Sequence, residues 1–262
     1  MSTAAQASTA AADKAQRGIQ SVEVGGRFLR ALADARRPLA LAELAAQTQV
    51  TPAQAHTYLV SLTRLGLIKR DHLSGRYEPG PLALRLGMLR LDHDPAYRAA
   101  VPRVDALAEA IRFNVAISSV SPRGPTIVRY AHAGTPLHVN LHVGTLMSLP
   151  ATATGRVFCA FLPETRWHAA WAHQQSGAAA AAGFDAALDA IRARGIERAV
   201  DAPSPGVSSL AVPVRDTGGQ LRLVLTAIGP SGSIDVDWQG PVARALLATA
   251  ADIGAQIPAE AA

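Results

Sequence analysis

From residue 18 onward the apolar positions follow first one period and then another. In QSVEVGGRFLRALADAR, residues 20–36, Val24, Phe28, Leu29 and Leu32 recur at helical spacing. Gly25 and Gly26 weaken this helix locally, and Pro38 ends it. LALAELAAQTQV predicts a short second helix with Leu41, Leu44 and Ala45 inward. Its start is poor, because Ala40 and Ala42 stand where a capping hydroxyl would help. Thr51-Pro52-Ala53-Gln54 is a stronger helix start: Thr51 caps, Pro52 suits the first position and Gln54 closes a capping box. The helix it opens buries Ala55, Leu59, Leu62 and Leu65 and ends at Gly66. The pattern then becomes a hairpin, with LGLIKRD as one strand, His72-Leu73-Ser74-Gly75 as the turn and Arg76-Tyr77-Glu78 as the return.

Beyond residue 80 the pattern changes again. Residues 81–95 carry Leu82, Leu84, Leu86, Met88, Leu89 and Leu91, too apolar for a bare linker. Residues 99–112 read as an amphipathic helix with Val101, Val104, Leu107 and Ile111 inward. NVAISSV, TIVRYAH and LHVNL read as strands. Ala153–Leu162, Glu164–His173 and Phe184–Arg194 read as helices, with 177–183 an alanine-rich loop or loose helix. VSSLAVPV and QLRLVLTAIG form an antiparallel hairpin around DTGG, and Pro241–Ile257 closes as a helix. Hairpin strands with helices against them predict an α+β sandwich, not a doubly wound nucleotide fold.

Composition sharpens this picture in three ways. The 262 residues are comfortable for two domains, and 49% apolar content supports a buried core without staples. A single cysteine, Cys159, excludes a disulfide framework and a cysteine metal site, which fits a reducing cytoplasm. The charge is uneven: residues 1–90 hold twelve Lys+Arg and six Asp+Glu, a net +6, and the remainder is −1. A polyanion-binding module joined to a neutral one has this asymmetry. Residues 1–17 are small and polar, lack the apolar core of a signal peptide and read as a disordered tail. No apolar run approaches the roughly 20 residues a bilayer demands, so no membrane partner is expected.

Three helices and a basic two-stranded wing over residues 18–80 make a winged helix-turn-helix. The outward face of its third helix carries Gln54, His56, Thr57, Ser61 and Arg64, short donors and acceptors with one cation, suited to base edges. Lys69, Arg70 and Arg76 decorate the wing, where phosphates would lie. Taken singly, Arg64 reads better as a solvated surface charge than as a base reader, and His56 reads equally well as a simple surface residue. The reading rests on the order of elements.

These residues resemble a known family. GIQSVEVGGRFLRAL, PLALAELA, LGLIKRDHLSGRYEPGPLALRLG, PATATGRVFCAFLPE, PGVSSLAVPVRDTGGQL and LTAIGP occur in the order seen in IclR-type bacterial transcriptional regulators, from residue 18 to about 257. The resemblance implies an α/β multidomain chain: a DNA-binding winged helix, a linker helix over 81–97 and a GAF-like α+β effector-binding domain over 98–262. It also implies a homodimer or dimer of dimers on near-palindromic double-stranded operator DNA, with the apolar linker helix against a partner subunit. Packing of that helix on its own domain is the competing reading.

The effector-binding turn of the family matches Pro150–Gly155. The segment LMSLP meets a helix whose first turn contains Thr152, Ala153, Thr154 and Gly155. Free backbone amides and the helix dipole there suit a carboxylate; ordinary capping by Thr152 is the alternative. The resemblance gives the Ala153 and Thr154 amides to the ligand's acid group. It places Ala199 and Val200 at the first two positions of the family's Asp-Asp-Glu run, with Asp201 at the third. Ser209 stands at the family's usual cysteine, and Thr226 and Ile228 at two serines of the following strand. The lost polar groups point to a more apolar pocket and an aromatic or otherwise apolar carboxylic acid.

Enzyme readings find little support. His138 and His142 form an H-x-x-x-H pair, but on a strand that spacing separates them by roughly 13 Å, too far to share a metal. GPSGS at 229–233 is no nucleophile elbow, Cys159 reads as a buried inert thiol, and there is no P-loop or dinucleotide glycine pattern. No cofactor is implied. A small-acid hydrolase or isomerase using His132 or His138 is the remaining enzyme alternative.

Overall fold

A computed structural model describes residues 18–121, 123–134, 137, 139–174 and 183–259. The tail at 1–17, His138 and most of the alanine-rich stretch 177–183 lie outside the described residues. The chain forms two compact units that divide between Arg90 and Leu91.

In the first unit, α1 (Gln20–Ala35), α2 (Leu41–Thr48) and α3 (Pro52–Arg64) enclose a core of Phe28, Leu32, Leu44, Leu59 and Leu62. α1 ends before Pro38: Arg36 turns left-handed and its amide donates to the Leu32 carbonyl. Gly25 leaves room for Tyr58, whose ring stacks on Phe28 at 5.7 Å. The poor start of α2 is repaired from inside the helix, because the Ala40 amide donates to Glu43 Oε2 at 2.8 Å. α3 has the expected reciprocal cap: the Gln54 amide donates to Thr51 Oγ1, and the Thr51 amide to Gln54 Oε1. Leu65 departs from expectation. It stands just past the helix and is 60% exposed, since the turn at Gly66 sends Leu67 toward the core instead.

The wing is β1 (Ile68–Arg70) paired antiparallel with β2 (Tyr77–Pro79). Leu39 bridges to the wing as a single residue, exchanging two backbone hydrogen bonds with Tyr77. α4 (Pro81–Asp92) buries none of its residues. It stops earlier than a continuous helix over 81–97 would. Asp94 accepts from the Ala96 and Tyr97 amides and starts α5 (Pro95–Ile111), which begins four residues before the expected helix.

The second unit is built on one antiparallel sheet. Its strands are β3 (Asn114–Ser119), β4 (Thr126–Ala131), β5 (Glu197–Ala199), β6 (Val207–Arg215) and β7 (Leu221–Pro230), in the order β4-β3-β7-β6-β5. β5 is a strand the periodicity did not reveal, being three residues long. Of the strand expected over 137–141, the described residues form none: Leu137 and Val139–Leu141 run as irregular chain over the sheet. Alternation along the strands sends Val115, Ile117, Leu210, Val212 and Leu225 toward α5 and α9 (Pro241–Gly254). The other face turns toward α6 (Ala153–Phe161) and α8 (Phe184–Arg194) and toward the 137–141 segment. α7 (Glu164–Gln174) adds Trp167 to that side.

Candidate functional site

Two surfaces carry chemistry, one on each unit. On α3, Gln54, His56, Thr57, Ser61 and Arg64 are all exposed, and Gln54, Thr57, Ser61 and Arg64 follow helical spacing along one face. The side chains are not idle in the free protein. Gln54 Oε1 serves the cap. Thr57 Oγ1 donates to the Ala53 carbonyl and Ser61 Oγ to the Thr57 carbonyl, each at 3.2 Å. Both hydroxyls therefore face outward as acceptors, suited to the amino groups of adenine or cytosine.

The wing cations are held more tightly than the sequence indicated. Lys69 Nζ pairs with Glu78 at 2.9 Å, which raises the lysine's pKa. Arg70 Nε donates to the Gly75 carbonyl, and its guanidinium lies 5.7 Å from the Tyr77 ring centre. Arg76 donates to the Pro38 carbonyl and to Glu43 Oε2 at 2.9 Å, while Arg37 takes Glu43 Oε1 at 2.6 Å. The Arg37 hydrogen bond first, and the Ala40 amide second, hold the Glu43 carboxyl at about 2. Glu43 is thus a residue the sequence reading missed. Its signal was an acid three positions after an alanine cap.

On the second unit a cavity of about 260 Å³ opens between the sheet, the start of α6 and the 137–141 segment. Thr154, Ser209, Thr226 and Ile228 line it, as expected. Thr152, Asn140, Met147 and Val207 also contribute, and Ala202, Pro203 and Ser204 bring the loop before β6 over it. Ala199 lies elsewhere, whereas Ala153 keeps its backbone amide, the group expected to meet a ligand, at the start of α6. The side chains of Ala153 and Ala199 are buried in the core shared by α6 and α8, because the first turn of α6 points residue 153 inward and β5 is an edge strand beneath that helix. Asp201 stands at the edge of the loop, not in the cavity lining. It accepts from the Gly206 amide and from Ser231 Oγ, stapling the loop across its base.

The turn into α6 is set by Gly155. A Cβ there would overlap the Ser148 carbonyl oxygen and come within 2.6 Å of Leu149 Cα, so only glycine lets the helix start lie under that segment. Thr152 caps the helix, accepting from the Gly155 amide at 2.9 Å and donating to the Ser148 carbonyl at 2.7 Å. The cap leaves two amides of the first turn over: those of Ala153 and Thr154 have no acceptor among the described residues. Arg156 fixes the helix laterally through Glu197 at 3.0 Å and the Pro150 and Arg198 carbonyls. Thr154 and Thr226 hydrogen-bond each other at 2.8 Å. No charged side chain lines the cavity among the described residues.

Of the H-x-x-x-H pair, His138 lies outside the described residues. His142 is exposed on irregular chain, so the strand spacing assumed for the pair does not apply to it. The described residues include no cluster of three or more metal-ligating side chains. Cys159 is fully buried, and burial pushes its thiol up to about 12. No described helix is long and apolar enough to cross a membrane.

A winged helix joined to an α+β unit with a ligand-sized cavity is the layout of a transcriptional regulator. Residues 21–72 match the IclR helix-turn-helix domain and residues 89–255 the bacterial transcriptional regulator IclR C-terminal domain, and the chain belongs to that family. It is 30% identical over 84% of its length to the glycerol operon regulatory protein of Streptomyces coelicolor, covering 87% of that protein. The crystal structure of Pseudomonas aeruginosa HmgR is 31% identical, with 93% of this chain and 100% of that one aligned and a TM-score of 0.60. An IclR homolog from Microbacterium hydrocarbonoxydans complexed with 4-hydroxybenzoate shares the fold at 16% identity, with 90% and 98% coverage and a TM-score of 0.72. The matched family and the Streptomyces relative are transcriptional regulators, not enzymes.

Proposed function

We propose that this regulator is a cytoplasmic homodimer, or a dimer of dimers, that binds a near-palindromic operator and controls a catabolic operon in response to a small carboxylic acid with an aromatic or otherwise apolar body. The observation that carries the effector class is the start of α6. Two amides without acceptors stand at a helix N-terminus beside a cavity walled by Met147, Val207 and Ile228. A carboxylate bound there has helix dipole and amides but no counter-ion, and the apolar wall takes the body of the ligand. The 4-hydroxybenzoate bound by the Microbacterium homolog is a ligand of that chemistry.

On the DNA side, α3 enters the major groove with Gln54, His56, Thr57, Ser61 and Arg64 toward the bases, and Lys69, Arg70 and Arg76 lie along the backbone. Effector binding biases the spacing of the two winged helices against the two half-sites, which only a difference in affinity between the two arrangements accomplishes.

A second effector reading rests on the absence of charge among the described lining residues: a neutral polyol, held by the hydroxyls of Thr152, Ser204 and Ser209. The relative that regulates a glycerol operon is consistent with it. Calorimetry of the purified protein against benzoate-like acids, pyruvate, glyoxylate and glycerol separates the readings. Tight binding of apolar acids supports the first, heat from glycerol alone supports the second, and binding of the small oxo-acids alone overturns both. Selection of bound fragments from random DNA tests the operator: recovery of an inverted repeat is expected, and recovery of no preferred sequence would count against it.

A further inference from the structure

The ligand face of the sheet holds a second cavity beside the first. It encloses about 250 Å³ and is lined by Asn114, Tyr130, His132 and Leu137, with Val139 and Leu141. Val139 and Leu141 also line the first cavity, so these two side chains are a wall common to both. Beneath that wall the strand register sets Thr226 opposite Ala116, and Ala116 opposite Tyr130. Directly opposed residues share a face, so the three form a row across β7, β3 and β4. Two strand spacings separate its ends by about 10 Å. The middle member is a single methyl group, which leaves the floor between the ends low.

The far end of this row is a built polar site. Asn114 is only 4% exposed. Its Oδ1 accepts from the Ala133 amide at 3.0 Å, which fixes the orientation of the side-chain amide, and its Nδ2 donates to Tyr130 Oη at 3.3 Å. Tyr130 Oη is thereby an acceptor toward Asn114, and its own hydrogen has no acceptor among the described residues. The His132 ring lies against Tyr130 with centroids 4.8 Å apart. Burial pushes the Tyr130 phenol above its ordinary value, with the Asn114 hydrogen bond opposing, so the hydroxyl is a donor at neutral pH.

We infer that this second cavity is a subsite for the far end of the effector, where Tyr130 donates to an oxygen of the ligand and Asn114 holds Tyr130 in place. The inference rests on the carboxylate reading of the first cavity and narrows it. The effector is a flat acid with a hydroxyl or second carboxylate opposite the first, its body lying over Ala116. A ligand lacking the second oxygen leaves the Tyr130 hydroxyl desolvated without a partner, which is the physical basis for discrimination.

Calorimetry of the full-length protein with benzoate, 2-hydroxybenzoate and 4-hydroxybenzoate tests this. In the wild type, 4-hydroxybenzoate is expected to bind at least tenfold more tightly than benzoate, and 2-hydroxybenzoate, whose hydroxyl stands beside its carboxylate, no better than benzoate. Tyr130→Phe, with its melting temperature checked, is expected to bind benzoate as before and to lose the tenfold preference. Equal binding of all three acids by the wild type, an equal gain from the 2- and 4-hydroxyls, or survival of the preference in Tyr130→Phe overturns the subsite while leaving the carboxylate reading standing. Binding of none of the acids by the wild type overturns the carboxylate reading itself, and the subsite with it.

Discussion

Thr154 Oγ1, in the first turn of α6, and Thr226 Oγ1, in the middle of β7, lie 2.8 Å apart across 72 residues of sequence, and both side chains are almost wholly buried. This hydrogen bond joins the helix start to the sheet at the edge of the first cavity. Replacing Thr226 by valine keeps the shape and leaves the Thr154 hydroxyl buried without its partner. Denaturant unfolding should show Thr226→Val less stable by about 1–3 kcal/mol, and the double variant Thr154→Val/Thr226→Val closer to wild type than the single one. A double variant that simply adds two losses would mean that the pair is not the link described.

Gly155 is the residue on which the geometry of the cavity's polar end depends. Alanine there meets backbone at Ser148 and Leu149, which no side-chain rotation relieves. Gly155→Ala should therefore weaken effector binding at least tenfold and lower the melting temperature of the second unit. An alanine variant that binds and melts like wild type would show that the 148–149 segment yields freely.

Much of this architecture was legible from pattern alone, and the exceptions have physical causes. The cap at Thr51 and Gln54 worked as read because a capping box is local chemistry. The strand expected at 137–141 did not form. Leu137, Val139 and Leu141 alternate because they wall two cavities, not because they pair with a neighbouring strand. Thr154, Ser209, Thr226 and Ile228 were found through motif positions. Asn140, Met147 and Ser204 were missed, since irregular loops brought together by tertiary packing leave no period to read. Ala199 shows the converse: its motif position falls on an edge strand whose side chain is buried in the core.

The wing raises a question of charge. Arg70 is exposed and donates to a neutral acceptor, the Gly75 carbonyl, whereas Arg76 is already bound to the Glu43 carboxylate. A cation that keeps its internal carboxylate partner displaces fewer counterions on reaching a phosphate. Arg70→Ala should therefore flatten the dependence of log K on log salt by about one unit, and Arg76→Ala by distinctly less. Gel-shift titrations between low and moderate salt read both slopes. An equal change in the two would show that Arg76 leaves Glu43 on the DNA.

Glu43 itself should titrate abnormally. Its folded-state value of about 2 lies below the ordinary 4.5, so whatever stability its ion pairs lend is fully present above about pH 4.5 and lost as pH falls toward 2. The carboxyl is a third exposed, which keeps the effect small. Carbon-detected NMR of the side-chain carboxyl should give a midpoint near 2 in wild type and one close to the ordinary value in an Arg37→Ala/Arg76→Ala variant. A wild-type midpoint near 4.5 would dissolve the Arg37–Glu43–Arg76 cluster in solution.

α4 presents an apolar surface. Leu84, Leu86, Met88 and Leu89 are each at least 46% exposed, and the helix buries none of its residues. Side chains of that size at neighbouring positions of one helix form a patch that a soluble chain normally covers. Leu84 and Met88 are one helical turn apart and share a face, so a charge at both places like charges side by side at the centre of a two-fold contact. Sedimentation velocity should show the wild type as a dimer or larger, and Leu84→Glu/Met88→Glu shifted to monomer at the same concentration with an unchanged melting transition for the second unit. Loss of the dimer should also cost most of the affinity for an inverted repeat while sparing the weak affinity for a single half-site, because the gain from two linked winged helices is one of effective concentration. A variant that stays dimeric places the subunit contact elsewhere and leaves α4 to pack against its own chain.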